Sequence, residues 1–364
     1  MNRNDQWSAG PWNGSIDRQT HGPAITKTFT MVANRDFTSL LAYSDFDKHL
    51  GGLVGLICGD CLGTPFEFHS PNDLPPAEMI NMIPSVDFNR SHAGVPAGTW
   101  SDDSSQALCL LASLLDRGKM DLYDFSGRLW NWMEFGYMAV DRQVFDIGIQ
   151  TERAIRRLQD GVSPERSGGA TAMDNGNGSL MRVLPLALWH HGSDQEMVRD
   201  AHRQSLPTHG HSRSQVACAL YCLVARGYLA NHPSPWEWAD HRLESIYREW
   251  SGENGKDALI EELATVRNSD LRSNQTGSGY VVDTLWSAKM AMEGDTFESV
   301  AKASILFGND TDTTAAVACG LAGIRFGLRG IPVKWLQQLR GFDVAESIIE
   351  DMIGHLHNQR RMAK

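Results

Sequence analysis

The chain has 364 residues, and 33 basic against 44 acidic side chains leave a formal net charge of −11. A DNA- or RNA-binding module is expected to carry a basic face, so a balance this acidic argues against nucleic acid as the main partner. With 41% hydrophobic and 21% charged residues, the composition is that of a soluble globular protein and excludes disorder over most of the length.

Residues 1–43 are polar and carry Trp7, Trp12 and scattered Gly and Pro. Only near their end does alternation appear, with Ile25, Lys27, Phe29 and Met31 on one side and Thr26, Thr28 and Thr30 on the other, which predicts one strand. They read as an N-terminal arm appended to a helical domain over residues 44–364. Met1-Asn2-Arg3-Asn4-Asp5 leads into no apolar signal core, and no run approaches the roughly 18 apolar residues of a membrane span. The expectation is a cytoplasmic protein with no membrane partner.

From Ser44 the period becomes helical. Leu50, Leu53, Val54, Ile57, Cys58 and Cys61 recur at three- and four-residue steps in a glycine-rich buried helix. Residues 64–100 are a long connection bearing six prolines, and structureless loops of that length in compact domains are usually functional. A second helix starts at Ser101 and stops at Gly118. Further helices are expected at about 122–138, 151–160, 179–190, 213–229, 235–250, 281–292, 296–306, 312–328 and 343–357. Two-residue alternation is almost absent from this body, so the fold class is all-α. The six cysteines lie in apolar helical patterns and read as reduced core residues. Cys58-Gly-Asp-Cys61 has zinc spacing, but no second pair of matching spacing follows it.

Three segments offer chemistry, all where a loop enters a helix. In Gly98-Thr99-Trp100-Ser101-Asp102-Asp103-Ser104-Ser105, two carboxylates beside hydroxyls form a hard-oxygen cluster suited to magnesium or manganese, although for this segment taken alone helix capping is the better reading. Gly308-Asn309-Asp310-Thr311-Asp312-Thr313-Thr314 repeats the pattern ahead of another apolar helix. Four carboxylates converging without cations repel one another strongly, so a two-metal site is the economical reading if the two helix starts meet in space. In Asn175-Gly176-Asn177-Gly178-Ser179, two glycines let backbone N–H groups approach an anion; a tight glycine turn is the alternative.

Six ordered blocks then identify a resemblance: Gly55 to Gly63 followed by Glu67, Ser101-Asp-Asp-Ser104, Asp146-Ile-Gly148, Gly176-Asn-Gly178 with Met181-Arg182, Thr208-His209, and Gly308-Asn-Asp-Thr-Asp-Thr313. Over about residues 47–360 the sequence resembles the ADP-ribosylglycohydrolases, the group that includes the dinitrogenase reductase-activating glycohydrolase. The resemblance implies a compact all-α domain that binds two divalent cations, Mg2+ or Mn2+, and removes ADP-ribose from modified side chains. It implies Ser101, Asp102, Asp103, Asp310, Asp312 and Thr313 as metal ligands, with Ser101 standing where the family commonly has Thr. Asn177, Gly178 and Ser179 would cradle the diphosphate, and His209 would line the substrate cleft; its plain alternative is a core or turn histidine.

Cleavage at the anomeric C–N bond passes through an oxocarbenium-like state, as in glycoside hydrolysis. Asp103 or Asp312, with Glu67 as the other candidate, would steer or deprotonate the attacking water. Glu67 has an exposed loop position as its alternative. Asp146 would lie at the distal ribose and hold a leaving guanidinium cationic, which favours arginine as the modified residue. The expected partner is therefore an ADP-ribosylated protein. An aromatic-bearing arm also suits docking to an ADP-ribosyltransferase toxin, and a non-catalytic immunity protein on the same fold is the alternative function.

Overall fold

The computed structural model describes residues 35–251, 257–268 and 274–362. The strand expected around residues 25–31, and the arm as far as residue 34, lie outside them. The described residues form α1 (Asp47–Gly63), α2 (Asp102–Arg117), α3 (Leu122–Phe135), α4 (Ile149–Gln159), α5 (Pro164–Ser167), α6 (Leu184–Trp189), α7 (Asp194–Ser205) and α8 (Ser212–Leu229). They continue with α9 (Pro235–Trp250), α10 (Asp257–Val266), α11 (Val281–Ala291), α12 (Phe297–Ile305), α13 (Thr311–Phe326), α14 (Val333–Gln338) and α15 (Phe342–Met362). The all-α class holds: apart from two isolated bridges, Gly169 with His209 and Gly176 with Tyr280, the described residues contain no strand.

The helical body begins before residue 44. Phe37–Ala42 form a 3-10 turn capped by the Asp36 carboxylate, and Phe37 and Leu40 are buried in the main core. The segment from Arg35 to Tyr43, which the sequence pattern assigns to the arm, thus packs with the domain. Helix α6 starts at Leu184 rather than 179, because Pro185 suits only a first turn, where its missing N–H leaves no bond unmade. Helix α7 carries no long apolar run; its signal is the capping box in which Ser193 and Glu196 each bond the other's backbone. All six cysteines are free and buried, as expected of core residues.

At the centre, α1 and α13 pack antiparallel along a stripe of glycines. A Cβ on Gly51 would stand 2.2 Å from the Gly323 carbonyl oxygen, on Gly55 2.4 Å from that of Cys319, on Gly59 2.2 Å from that of Ala315, and on Gly63 2.4 Å from the Asp312 Cα. The four-residue spacing puts all four glycines on one face, so the two backbones touch directly. The Thr311 hydroxyl then bonds the Gly63 carbonyl at 2.8 Å and ties the start of α13 to the end of α1. This contact brings the last turn of α1 against the first turn of α13, with the start of α2 alongside.

Candidate active site

Both acidic helix starts meet at this junction. Asp60, on the last turns of α1 and fully buried, accepts the Ser101 N–H at 2.9 Å, the Ser104 N–H at 2.9 Å and the Ser104 hydroxyl at 2.6 Å. It caps α2 from another helix, satisfying N–H groups the first turn leaves unpaired. Ser101 caps the same turn from within, its hydroxyl facing both the Asp103 N–H and, at 3.1 Å, Asp103 Oδ2. With those duties filled, Asp102 and Asp103 are not needed as caps. Asp310, at the cap position of α13, makes no capping bond either; its Oδ2 accepts from the Asn177 side-chain amide at 2.8 Å. Capping therefore does not account for Asp102, Asp103 and Asp310; Asp312 takes the Thr313 N–H through Oδ1 at 2.9 Å, which leaves its Oδ2 without that duty.

The long connection folds back into the site. The Phe68 N–H donates to the Asn309 carbonyl at 2.6 Å and the Asn309 N–H to the His69 carbonyl at 2.7 Å, with Gly308 at φ +71 because a Cβ there would meet the His69 oxygen at 2.7 Å. Glu67 is thereby held beside Asp310 rather than exposed, and 4% of its surface remains accessible. His92, from the same connection, bonds Glu67 Oε2 at 2.7 Å and packs against the rings of Phe68 and Phe145. Asp146, with φ +55, completes a group with Glu67 and His92.

Three overlapping clusters result: Asp60, Asp103 and Asp312 deepest, then Glu67, Asp310 and Asp312, then Glu67, His92 and Asp146 at the mouth, each with ligand atoms within 4.8 Å of one another. Asp102 is set beside these clusters, its Oδ2 accepting from Gln106 at 2.9 Å. Thr313 reaches Asp103 Oδ2 through its hydroxyl at 3.3 Å. Burial first, and the neighbouring carboxylates second, push Asp102, Asp103 and Asp312 well above the usual carboxylate range. Asp146 is raised by burial and by Asp310. Asp103 Oδ1 and Asp312 Oδ2 are buried with no hydrogen-bond partner among the described residues. Unpartnered buried carboxylate oxygens amid like charge cost several kcal/mol unless something positive faces them, and hard divalent cations take such donor sets. The residues fit a metal centre.

The glycine loop lies alongside. Its Asn177 N–H donates to the Gly279 carbonyl at 3.0 Å, and its side chain bridges Asp310 and, at 2.9 Å, Thr284. Gly178 lies against His209: a Cβ there would stand 2.8 Å from the His209 ring. His209 is buried beneath the loop, and its pKa falls to about 3 through burial and the nearby Arg182. Ser179 faces inward, its hydroxyl meeting those of Ser205 and the thiol of Cys218 in the core, so only its backbone lies with the loop.

The sequence pattern assigns no role to Asp60 or His92. Asp60 left one trace, a lone carboxylate inside an otherwise apolar, glycine-rich helix, which must find donors when buried. His92 sits in a segment without periodicity and left none.

One pH dependence follows directly. Burial and the Asp146 charge, opposed by the His92 bond, push Glu67 from 4.5 up to about 8. Between these values the unfolded chain releases the proton and the folded chain keeps it, so stability falls as pH rises through that window. Chelator-treated protein should melt higher at pH 5 than at pH 8. Added Mn2+ should reverse the order, since cation binding strengthens as the carboxylates ionise. Equal melting temperatures at both pH values without cation would show that the acidic cluster is not strained by its own charge.

A profile described as ADP-ribosylglycohydrolase matches residues 42–362. The chain is 30% identical over 296 residues to the ADP-ribosylarginine hydrolase Tri1 of Serratia proteamaculans, covering 80% of this chain and 75% of that protein. It is 28% identical over 310 residues to the ADP-ribosyl-[dinitrogen reductase] glycohydrolase of Rhodospirillum rubrum, covering 80% and 90%. A solved structure titled as an ADP-ribosylglycohydrolase-related protein complex superposes with a TM-score of 0.65 at 29% identity, covering 84% of this chain and 96% of that one. Within the described residues, no helix is long and apolar enough to cross a membrane. With the acidic helix starts, the glycine loop and the helical fold in agreement with these matches, the chain belongs to the ADP-ribosylglycohydrolase family.

Proposed function

We propose that this protein hydrolyses the N-glycosidic bond between ADP-ribose and a protein arginine, reversing ADP-ribosylation. The observation that carries the reading is the convergence of Asp103, Asp310, Asp312 and Glu67 from separate segments, beside a glycine loop anchored to Asp310. Asp102, Asp103, Asp310 and Asp312, with the hydroxyls of Ser101 and Thr313, would hold two divalent cations, Mg2+ or Mn2+. When bound, these supply Lewis acidity and charge neutralisation at the reacting centre.

The chain's own groups divide the remaining work. Glu67, held by His92 next to Asp310 and Asp312 and ionised once bound cations offset the neighbouring negative charge, orients the attacking water and takes its proton. Asp103 and Asp312 are the other carboxylates proposed for steering that water. Asp146, at the outer end of the cluster, sets a negative field that keeps the substrate guanidinium protonated before the C–N bond breaks, so that it leaves with the bonding pair as neutral guanidine rather than as an anion. Asn177 and Gly178 offer the loop to the diphosphate, with the buried His209 beneath them. Incubation with arginine- and serine-ADP-ribosylated peptides in Mn2+ should release ADP-ribose from the arginine peptide, and excess EDTA should stop it. Release from the serine peptide alone, or undiminished release in EDTA, would overturn the reading.

The family match begins at residue 42, leaving Trp7, Trp12 and Phe29 ahead of it. This supports a second role, in which the N-terminal arm binds a partner of ADP-ribosyltransferase type; a purely blocking immunity protein is the alternative on the same fold. Because Phe37 and Leu40 belong to the core, the informative truncation removes residues 1–34. It should leave hydrolysis of a small ADP-ribosylarginine substrate nearly intact and weaken the transferase complex. Loss of hydrolysis with the arm would tie residues 1–34 to the catalytic domain instead.

A further inference from the structure

Arg182 lies outside the roles described so far, although Met181-Arg182 stands in one of the sequence blocks. It is fully buried, and its hydrogen-bond partners among the described residues are all neutral. Nη1 donates to Gln106 Oε1 at 2.8 Å, Nε to Gln204 Oε1 at 3.2 Å, and Nη2 to the Gln204 carbonyl at 2.9 Å and to Thr208 Oγ1 at 2.8 Å. The Phe125 ring lies 5.1 Å from the guanidinium carbon.

A guanidinium only donates, so each partner must accept on the side facing Arg182 and turn its own proton the other way. Gln106 therefore presents its amide N–H to Asp102 Oδ2 at 2.9 Å. Gln204 in the same way presents its N–H to the Ser179 carbonyl at 3.1 Å, on the far side of the glycine loop. The Thr208 hydroxyl, fully buried and already accepting from Arg182, has one proton left to give, and His209 Nδ1 lies 2.8 Å away. His209 Nδ1 is then an acceptor, and the ring's proton sits on Nε2. That nitrogen faces the loop, 3.3 Å from where a Cβ would stand on either Gly176 or Gly178.

We propose that Arg182 is a positioning residue that sets the direction of hydrogen bonding on both sides of the cleft: through Gln106 it aims a donor at Asp102, and through Thr208 it fixes His209 as an Nε2–H donor toward an anionic ligand group in the glycine loop. Three chains of bonds leave one buried cation, and all three end on groups of the site. Arg182 touches neither ligand nor cation itself. The neutral ring follows as well, since a buried histidine beside a buried cation does not charge near neutral pH. This rests on the proposed function for what occupies the loop and for Asp102 as a cation ligand; the tautomer and the donor to Asp102 are properties of the protein alone.

The test keeps Arg182 in place, because removing a fully buried cation with four hydrogen bonds threatens folding. Long-range 15N–1H correlation spectra of the full chain labelled at histidine, with His209→Gln assigning the resonance, should show the Nε2–H tautomer in wild type and in Thr208→Ser. Thr208→Val, which keeps the shape and removes the hydroxyl, should move the ring to a mixture or to Nδ1–H. A wild-type proton on Nδ1, or a Thr208→Val spectrum matching wild type, overturns the His209 arm. Calorimetric titration with Mn2+ should show Gln106→Leu binding about tenfold more weakly or worse, the usual effect of losing a hydrogen bond behind a metal ligand; unchanged affinity overturns the Asp102 arm. Neither readout uses substrate, so absence of arginine-linked hydrolysis in wild type would count against the proposed function and leave these results standing.

Discussion

Asp103→Asn should raise the melting temperature of the chelator-treated protein, abolish the further rise that Mn2+ gives wild type, and cut ADP-ribose release about a thousandfold, equivalent to roughly 4 kcal/mol of barrier. The opposite signs come from one cause. Asp103 is completely buried, Oδ1 has no partner among the described residues, and Asp60, Asp310 and Asp146 add their repulsion to the penalty of burial. Asparagine keeps the volume and removes the charge, so the cation-free fold is relieved. The same change takes away the charge and one of the two oxygens that would hold a divalent cation, and with them the orientation and charge neutralisation on which the proposed hydrolysis depends. Thermal melts with and without Mn2+, alongside release assays on ADP-ribosylarginine, separate the two effects. A variant that still gains stability from Mn2+ as wild type does would place the cations elsewhere.

The sequence shows the two acidic helix starts because adjacency in sequence survives folding: Asp102 with Asp103, and Asp310 with Asp312, each arrive as a unit on a first turn. It does not show which carboxylates end up closest. Asp60 joins Asp103 and Asp312 because an interhelical contact carries it there, whereas Asp102, one residue from Asp103, turns toward Gln106. Likewise the glycine loop is visible as a loop, but the inward turn of Ser179 depends on Ser205 and Cys218, which lie 26 and 39 residues away. Helices with a continuous apolar face were legible almost to the residue, as in α9, while α10 and α14, short and with few buried positions, were not. Local pattern records what a residue needs; the partner that meets the need is often far along the chain.

That dependence on a distant partner gives the largest expected loss of stability, at a position with no chemistry of its own. Gly59→Ala should destabilise the fold by about 3 kcal/mol, at the upper end of what overpacking a core costs. The new Cβ would stand 2.2 Å from the Ala315 carbonyl oxygen and 2.6 Å from its carbon, both backbone atoms of a helix that cannot swing aside as a side chain does. Relief requires α1 and α13 to separate, and the same movement carries Asp60 away from Asp312, so Mn2+ affinity should fall together with stability. The matched control is Gly127→Ala on α3, where a Cβ meets nothing within 4 Å; there the change should stabilise by about 0.5 to 1 kcal/mol through helix propensity. Urea unfolding followed by circular dichroism reads both variants. If Gly59→Ala unfolds at the same urea concentration as wild type, the direct backbone contact does not hold the two helices, and the glycine stripe is not what brings the carboxylates together.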